Sequence, residues 1–394
     1  MKKICFILLG LSQLMLASCR KEFEVVDSVP VVFQLVFPES FKEGAVPEKV
    51  NIQLKNNVTG EVRQLVSDVE GKLALNLIPG TYSLAASRSY TAAESEELIG
   101  HAQESFVNAS IAPLLVETST RAVSVPLKVS QAGSLVIREY YYSGVPSVYF
   151  YDLFLEIYNN SNETVYLDSM YMGNTKAGST SAHGFLSKTD SVYLAQVWMI
   201  PGSGKDHALA PGESFIISMN AINHRDDPKG NPNSPVNLGK GISNFETYWP
   251  YTNRDTDNPD VPNLFHAYAS TTAGFDWLPG SNGGGIVIFE GKDFAKWPVA
   301  REPNATGNTQ YKSVPVGVII DGVDCVPNAN VAADKKRLPI SVDAGMTTTG
   351  AIYSGKSVRR KVKQVIGGQT IFQDTNNSSL DFEINNTPSP RKWN

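Results

Sequence analysis

The sequence predicts an all-β protein of two β-sandwich domains. Two observations lead there: short apolar runs that alternate with polar residues, and turn formers placed between them. In the first part of the chain Val50, Ile52 and Leu54 alternate with polar neighbours, and Asn56 to Gly60 supplies a turn. Leu73, Leu75 and Leu77 alternate again before Pro79-Gly80, and Tyr82, Leu84 and Ala86 follow. Period-two alternation broken by Gly, Pro and Asn is the pattern of antiparallel strands with one wet and one dry face. A chain of 394 residues is ample for two cores of this kind.

The segment Asn57-Val58-Thr59-Gly60 through Asp68 and Gly71 to Leu77-Ile78-Pro79-Gly80-Thr81-Tyr82 resembles the transthyretin-like, carboxypeptidase-regulatory type of domain. That resemblance implies a spacer or scaffold over residues 29–130. A second pattern begins after Ser134, with Leu135-Val136-Ile137-Arg138-Glu139, Leu153 to Ser161, and Val165-Tyr166-Leu167-Asp168. Leu209-Ala210-Pro211-Gly212-Glu213, Gly285 to Phe289, Val318 to Asp321 and Asp374 to Ser378 follow in order. Together these pieces resemble a lamin-tail domain, which implies an immunoglobulin-like sandwich over residues 134–394. Relative to that family the chain carries two expected loop insertions, 174–208 and 220–280; loops of such length in a compact domain are usually functional or disordered.

Ahead of the domains, Lys2 and Lys3 precede an apolar run from Ile4 to Leu16 and the tetrapeptide Leu16-Ala17-Ser18-Cys19. Charge, a short apolar stretch and small residues make residues 1–18 an export signal, the run being shorter than the roughly 20 residues a spanning helix needs. The tetrapeptide resembles a lipobox, which implies that Cys19 is acylated, with residues 19–28 as the linker. No aspartate follows the cysteine, and Lys21-Glu22 resembles the surface-export signal of Bacteroidota-type lipoproteins, so the expected address is the outer membrane, facing outward. The whole arrangement is similar to a family of Bacteroidota lipoproteins of unassigned function.

With 34 basic against 39 acidic residues the net charge is −5, more negative still once Lys2 and Lys3 leave. That excludes a nucleic-acid binder, which needs a basic face. Loss of Cys5 and acylation of Cys19 leave Cys325 alone, so no intramolecular disulfide forms, and a lone thiol beside Val323 and Val326 is a small buried apolar residue. Gly350 to Ser357 fits the P-loop formula, yet the β-like Val358 to Val362 follows it where a phosphate-binding helix is required.

The 220–280 stretch holds the candidate site. Asp255, Asp257 and Asp260 crowd carboxylates into one loop, either as an irregular calcium site with help from Asp226, Asp227 or Glu246, or as solvated turn formers. Tyr248, Trp249, Tyr251 and Trp277, with Phe265, Tyr268 and Phe275, either offer flat faces to a glycan or a protein partner, or glue the loop to the sandwich. Asp27-Ser28-Val29, Asp168-Ser169-Met170 and Asp190-Ser191-Val192 each resemble an O-glycosylation acceptor, naming Ser28, Ser169 and Ser191. No hydrolase motif occurs, and no catalytic residue is assigned. The expected function is a binding or accessory module whose partner is an outer-membrane transporter or a surface glycan. The alternative is an extracytoplasmic glycan hydrolase with carboxylates on its loops.

Overall fold

The computed structural model describes residues 27–392 apart from 101, 103, 132, 179–182, 240, 251–254 and 272–275. The leader, Cys19 and the Lys21-Glu22 pair lie outside the described residues. The fold is all-β. Its first half runs β1 (Val29–Val36), β2 (Asn51–Asn56), β3 (Val62–Val66), β4 (Lys72–Leu77), β5 (Gly80–Tyr90), β6 (Ser105–Val116), β7 (Ala122–Pro126) and β8 (Lys128–Gln131). These make a sheet β4-β1-β7 and a sheet β3-β2-β5-β6-β8. In β1 the side chains alternate strictly, with Val31, Phe33 and Leu35 inward, where they meet Ile52, Leu54, Leu84 and Ala86 of the facing sheet. Each such side chain contributes about 1.5–3 kcal/mol by leaving water. One helix, Ala92–Ile99, bridges β5 and β6; it is opened by a Thr91/Glu94 capping box and closed by Gly100 in the left-handed region.

The second half comprises β9 (Leu135–Tyr141), β10 (Phe154–Asn159), β11 (Val165–Tyr166), β12 (Met170–Thr175), β13 (Ser191–Met199), β14 (Ala208–Leu209), β15 (Ser214–Ser218), β16 (Phe245–Glu246), β17 (Phe265–Ala269), β18 (Gly284–Glu290), β19 (Val299–Arg301), β20 (Gln310–Pro315), β21 (Ile319–Cys325), β22 (Ser357–Arg360), β23 (Val362–Ile366), β24 (Gln369–Phe372) and β25 (Phe382–Asn385). One sheet has the order β16-β15-β10-β9-β22-β25, the other β19-β20-β13-β12-β18-β21 with β17 also paired to β13. Ile137, Leu155, Ile157 and Ile217 from the first pack against Met172, Trp198, Ile286 and Ile288 from the second.

Strands β9, β10 and β15 are buried on both faces. Their outer face carries Tyr141, Phe154 and Ile216, which Val236 and Leu238 cover, and farther along Val136 and Tyr158, which Phe372 of β24 covers. Both stretches expected as loop insertions are therefore corrected. The 174–208 stretch contains β13, an interior strand paired with β12 and β20. The 220–280 stretch supplies the Val236–Leu238 cover, adds β16 parallel to β15, and adds β17 antiparallel to β13. The physical reasons differ: β13 completes the backbone ladder between β12 and β20, whereas Val236 and Leu238 cover the apolar outer face of the other sheet.

Two arginines buried among carboxylates fasten the end of the chain. Arg138 lies between Glu139 and Glu156 and donates to the Ser389 and Lys392 carbonyls. Arg360 bonds Asp321 (2.5 Å), Asp374 (3.0 Å) and Asp381 (3.5 Å). The carboxylate pair Glu139 and Glu156 thus has a structural duty. The two halves touch through Asn108 Nδ2 to the Thr375 carbonyl (3.2 Å) and through the Lys363–Glu104 ion pair (2.7 Å).

Candidate functional site

Of the acidic residues of the 220–280 stretch, Glu246 and Asp276 are buried and Asp255 is half-buried, whereas Asp226, Asp257 and Asp260 are exposed. Glu246, at the end of β16, accepts from the Ala221 N–H (2.7 Å) and the Asn258 N–H (2.6 Å). Asp255 accepts from the Trp249 N–H (2.6 Å) and Thr256 N–H (2.7 Å), and Asp276 from the Trp277 N–H (2.5 Å) and Thr247 hydroxyl (3.2 Å). Burial raises both Asp255 and Asp276, and the Asp255 charge pushes Asp276 further in the same direction. Asp257 accepts from Asn263 Nδ2 (2.8 Å), and the Asp260 N–H donates to Asn258 Oδ1 (3.1 Å). Among the described residues no three His, Cys, Asp or Glu side chains are grouped to hold a metal ion. Asp255 and Asp257 thus stitch the loop through their carboxylates, while Asp257 and Asp260 stay exposed.

Burial pushes the Glu246 carboxyl up to about 8, against the pull of its two backbone donors, and raises Asp276 strongly and Asp255 with it. Such groups favour the folded state while they are protonated, and that contribution is lost as pH rises through the folded value. Urea midpoints are therefore expected to fall between pH 5 and pH 9, with about 1.4 kcal/mol as the ceiling for each unit by which Glu246 is raised. A flat or rising profile would show that Glu246 is ionised in its site.

Trp249 and Trp277 belong to the main core. Trp277 stands 6.2 Å from Tyr140, and Trp249 is edge-on to Trp198 at 6.4 Å and to His266 at 4.3 Å. As exposed anchors for a ligand they are corrected; they are the glue of the second reading, since their area is spent on the sandwich interior. Tyr248 is half-buried, Phe265 is exposed, and Tyr268 donates to the Gln310 carbonyl (2.8 Å). Tyr251 and Phe275 lie outside the described residues.

Ser28 is exposed just before β1, Ser169 is exposed in a turn with φ of 60°, and Ser191 is half-buried at the start of β13. Cys325 is buried and free. The stretch resembling a P-loop is a turn that runs into β22.

What sequence reasoning missed is a groove between the two halves. A cavity of about 450 Å³ lies between Gln53, Lys55 and Ser110 of the first sandwich and Asn330, Lys336 and Met346 of the second. Beside it, sharing Ser110 and Lys336, a cavity of about 230 Å³ is walled by His183, Phe185, Arg337 and Pro339. Lys336 is buried on Asp324 (3.2 Å) and the Gly345 carbonyl (2.6 Å), and Arg337 is 1% exposed. The signal was present in the triplet Lys335-Lys336-Arg337, which a sequence reader takes for a solvated run.

A family model described as a protein of unknown function (DUF4876) matches residues 210–389. No curated protein matches the chain. The crystal structure of a DUF4876 family protein from Bacteroides thetaiotaomicron is 27% identical, over 92% of this chain and 97% of that one, with a TM-score of 0.59. Two candidate adhesins from Bacteroides ovatus, each 10% identical, match 47% of this chain and 62% of theirs at a TM-score of 0.19, and 69% and 81% at 0.21; superpositions that poor carry no argument. The chain is thus similar in sequence and fold, along nearly all its length, to a protein from an uncharacterised family found in Bacteroides.

Proposed function

We propose that this chain is an outer-membrane lipoprotein, anchored through Cys19 and facing outward, whose two sandwiches form a binding or accessory module for a glycan or an outer-membrane transporter. The observation that carries the binding reading is the groove between the sandwiches. It is the concave surface at which two rigid scaffolds meet, and ligand sites favour such junctions. The 220–280 stretch, by contrast, spends its large side chains on the core. The leader and Leu16-Ala17-Ser18-Cys19 support the anchor. The likeness to a Bacteroides protein supports the envelope type, and the transthyretin-like and lamin-tail resemblances support a scaffold that displays a site. The hydrolase alternative needs two carboxyls flanking an open cleft, whereas Asp276 is buried and Asp255 is held by the Trp249 and Thr256 N–H groups.

Intact-mass analysis of the mature protein is expected to find a diacylglyceryl adduct on Cys19, and the same spectrum reads any glycan on Ser28, Ser169 or Ser191. Cys19→Ala should leave the chain uncut or released, and protease added to whole cells should remove the wild type. An unmodified N-terminus elsewhere, or protection in whole cells, overturns the anchor or the orientation respectively. For the groove, a glycan array should retain the wild type, and Ser110→Trp, which fills the floor, should lose that retention while keeping its thermal midpoint. An undiminished profile in Ser110→Trp would move the site elsewhere; no retention of the wild type would turn the reading toward the transporter.

A further inference from the structure

The smaller cavity of the groove is walled by a guanidinium whose hydrogen bonds are only partly made among the described residues. Arg337 donates through Nη2 to the Gly178 carbonyl (2.8 Å), but Nε and Nη1 have no acceptor among the described residues, although both atoms are buried. His183 Nδ1, on the same wall, is buried and likewise has no partner among the described residues. A buried N–H left unmade is costly, and more so on a guanidinium, which stays charged in proteins.

Asp324 and Glu302 attract the Arg337 guanidinium through space, but no hydrogen bond joins either to it, and Asp334, whose carbonyl accepts from the His183 N–H (3.0 Å), pairs with Lys335 (2.9 Å). Glu302 accepts from Lys176 Nζ (2.8 Å) and the Gly184 N–H (3.0 Å). Asp324 turns Oδ2 to Lys336 Nζ (3.2 Å) and to the backbone N–H groups of Arg337 (2.6 Å) and Leu338 (2.8 Å). Its Oδ1 has no hydrogen bond, and so makes none to Arg337. Beyond the buried pair the cavity offers Lys188, Thr189 and Ser191 toward solvent and Phe185 and Pro339 as apolar walls. A space of about 230 Å³ holds an anionic group with a ring-sized appendage, given that a water occupies roughly 30 Å³ of liquid.

We propose that Arg337 and His183 form an oxyanion-binding site, which takes a carboxylate, sulfate or phosphate group borne by the ligand of the groove. This rests on the groove reading above and adds the chemical class. Guanidinium is suited to such groups because its planar donors match their oxygens. His183 gives the site a pH signature. Burial and the Arg337 charge depress its ring to about 4, with Lys176 and Lys336 acting the same way and Glu302 opposing them. A bound anion cancels that repulsion, so binding takes up a proton and tightens as pH falls.

Titration calorimetry and thermal unfolding of the full chain test this, with sodium sulfate, sodium phosphate and sodium glucuronate as probes, glucose as the neutral control, and ionic strength held with sodium chloride. Saturable binding of at least one anion is expected, tightening at least threefold from pH 7.5 to pH 5.5 and weakened at least tenfold in Arg337→Met. Sulfate or phosphate alone would name the inorganic group; glucuronate alone would name an acidic sugar. Should Arg337→Met fail to fold, His183→Gln, at a half-buried position, keeps the test open: it should bind more weakly and lose the pH dependence. No anion effect beyond that of sodium chloride overturns the proposal, as does equal binding by both variants and wild type. If anions fail while the glycan array still depends on Ser110, the groove reading stands and only the oxyanion site falls.

Discussion

Replacing residues 220–280 with a short Gly-Ser connector is expected to leave no cooperatively folded second sandwich. The connector removes Trp249, Trp277, Phe245 and Leu264 from the main core and uncovers Tyr141, Phe154 and Ile216 by taking away Val236 and Leu238. Closure entropy favours a shorter loop only slightly, and burial of these side chains outweighs it. Single truncations should report the same: Trp277→Ala and Trp249→Ala are each expected to cost about 3–5 kcal/mol, a large part of the 5–15 kcal/mol typical of a folded domain. Phe265, 58% exposed in the same stretch, is the internal control, and Phe265→Ser should stay within about 0.5 kcal/mol. Urea unfolding followed by tryptophan fluorescence and circular dichroism reads all three. A connector variant that melts like the wild type would show that the second domain does not need this stretch.

Arg360→Met should be the most damaging exchange of a single charge. The guanidinium bonds Asp321, Asp374 and Asp381 and donates through Nε to the Ile137 carbonyl (3.0 Å), all in the interior. Removing the cation leaves three carboxyls in a dry site, a loss of about 3–5 kcal/mol. The loss should depend on pH in a definite direction. Burial already holds Asp381 up at about 6 and pushes Asp321 upward against the attraction of Arg360. Without the arginine their folded pKa values rise further, so the folded variant prefers protonated carboxyls, and its stability is lost as pH rises through those values. The deficit in urea midpoint relative to wild type should therefore be larger at pH 8 than at pH 5. Equal deficits at the two pH values would mean that the carboxyls are not coupled to Arg360.

Much of the fold was legible from local pattern. In β1, β2 and β5 one face is dry and the other wet, so alternation appears directly in the letters. It failed at Ser191–Met199, where Val192, Tyr193, Leu194, Val197 and Trp198 are all buried. A strand covered on both faces shows no period of two, and comparison with a compact domain left it looking like surplus loop. The site was less legible. The acidic and aromatic residues of 220–280 stood out in the letters, but whether a loop side chain turns in or out depends on the sheet beneath it. Lys336 and Arg337 were passed over because a run of cations is usually solvated.

By itself the sequence determined what local chemistry determines, strands from alternation and turns from Gly, Pro and Asn, and it raised as expectations an export leader over residues 1–18 and an acidic chain unsuited to nucleic acid. The tertiary structure alone decided which carboxyls interact, as Asp255 does with Asp276 across 20 intervening residues, and which guanidinium keeps two N–H positions unbonded among the described residues. It also decided that the cavity lies between two sandwiches. Burial and pairing arise from residues far apart in the chain, and the desolvation that shifts a carboxyl or strands a guanidinium exists only once those residues have closed around it.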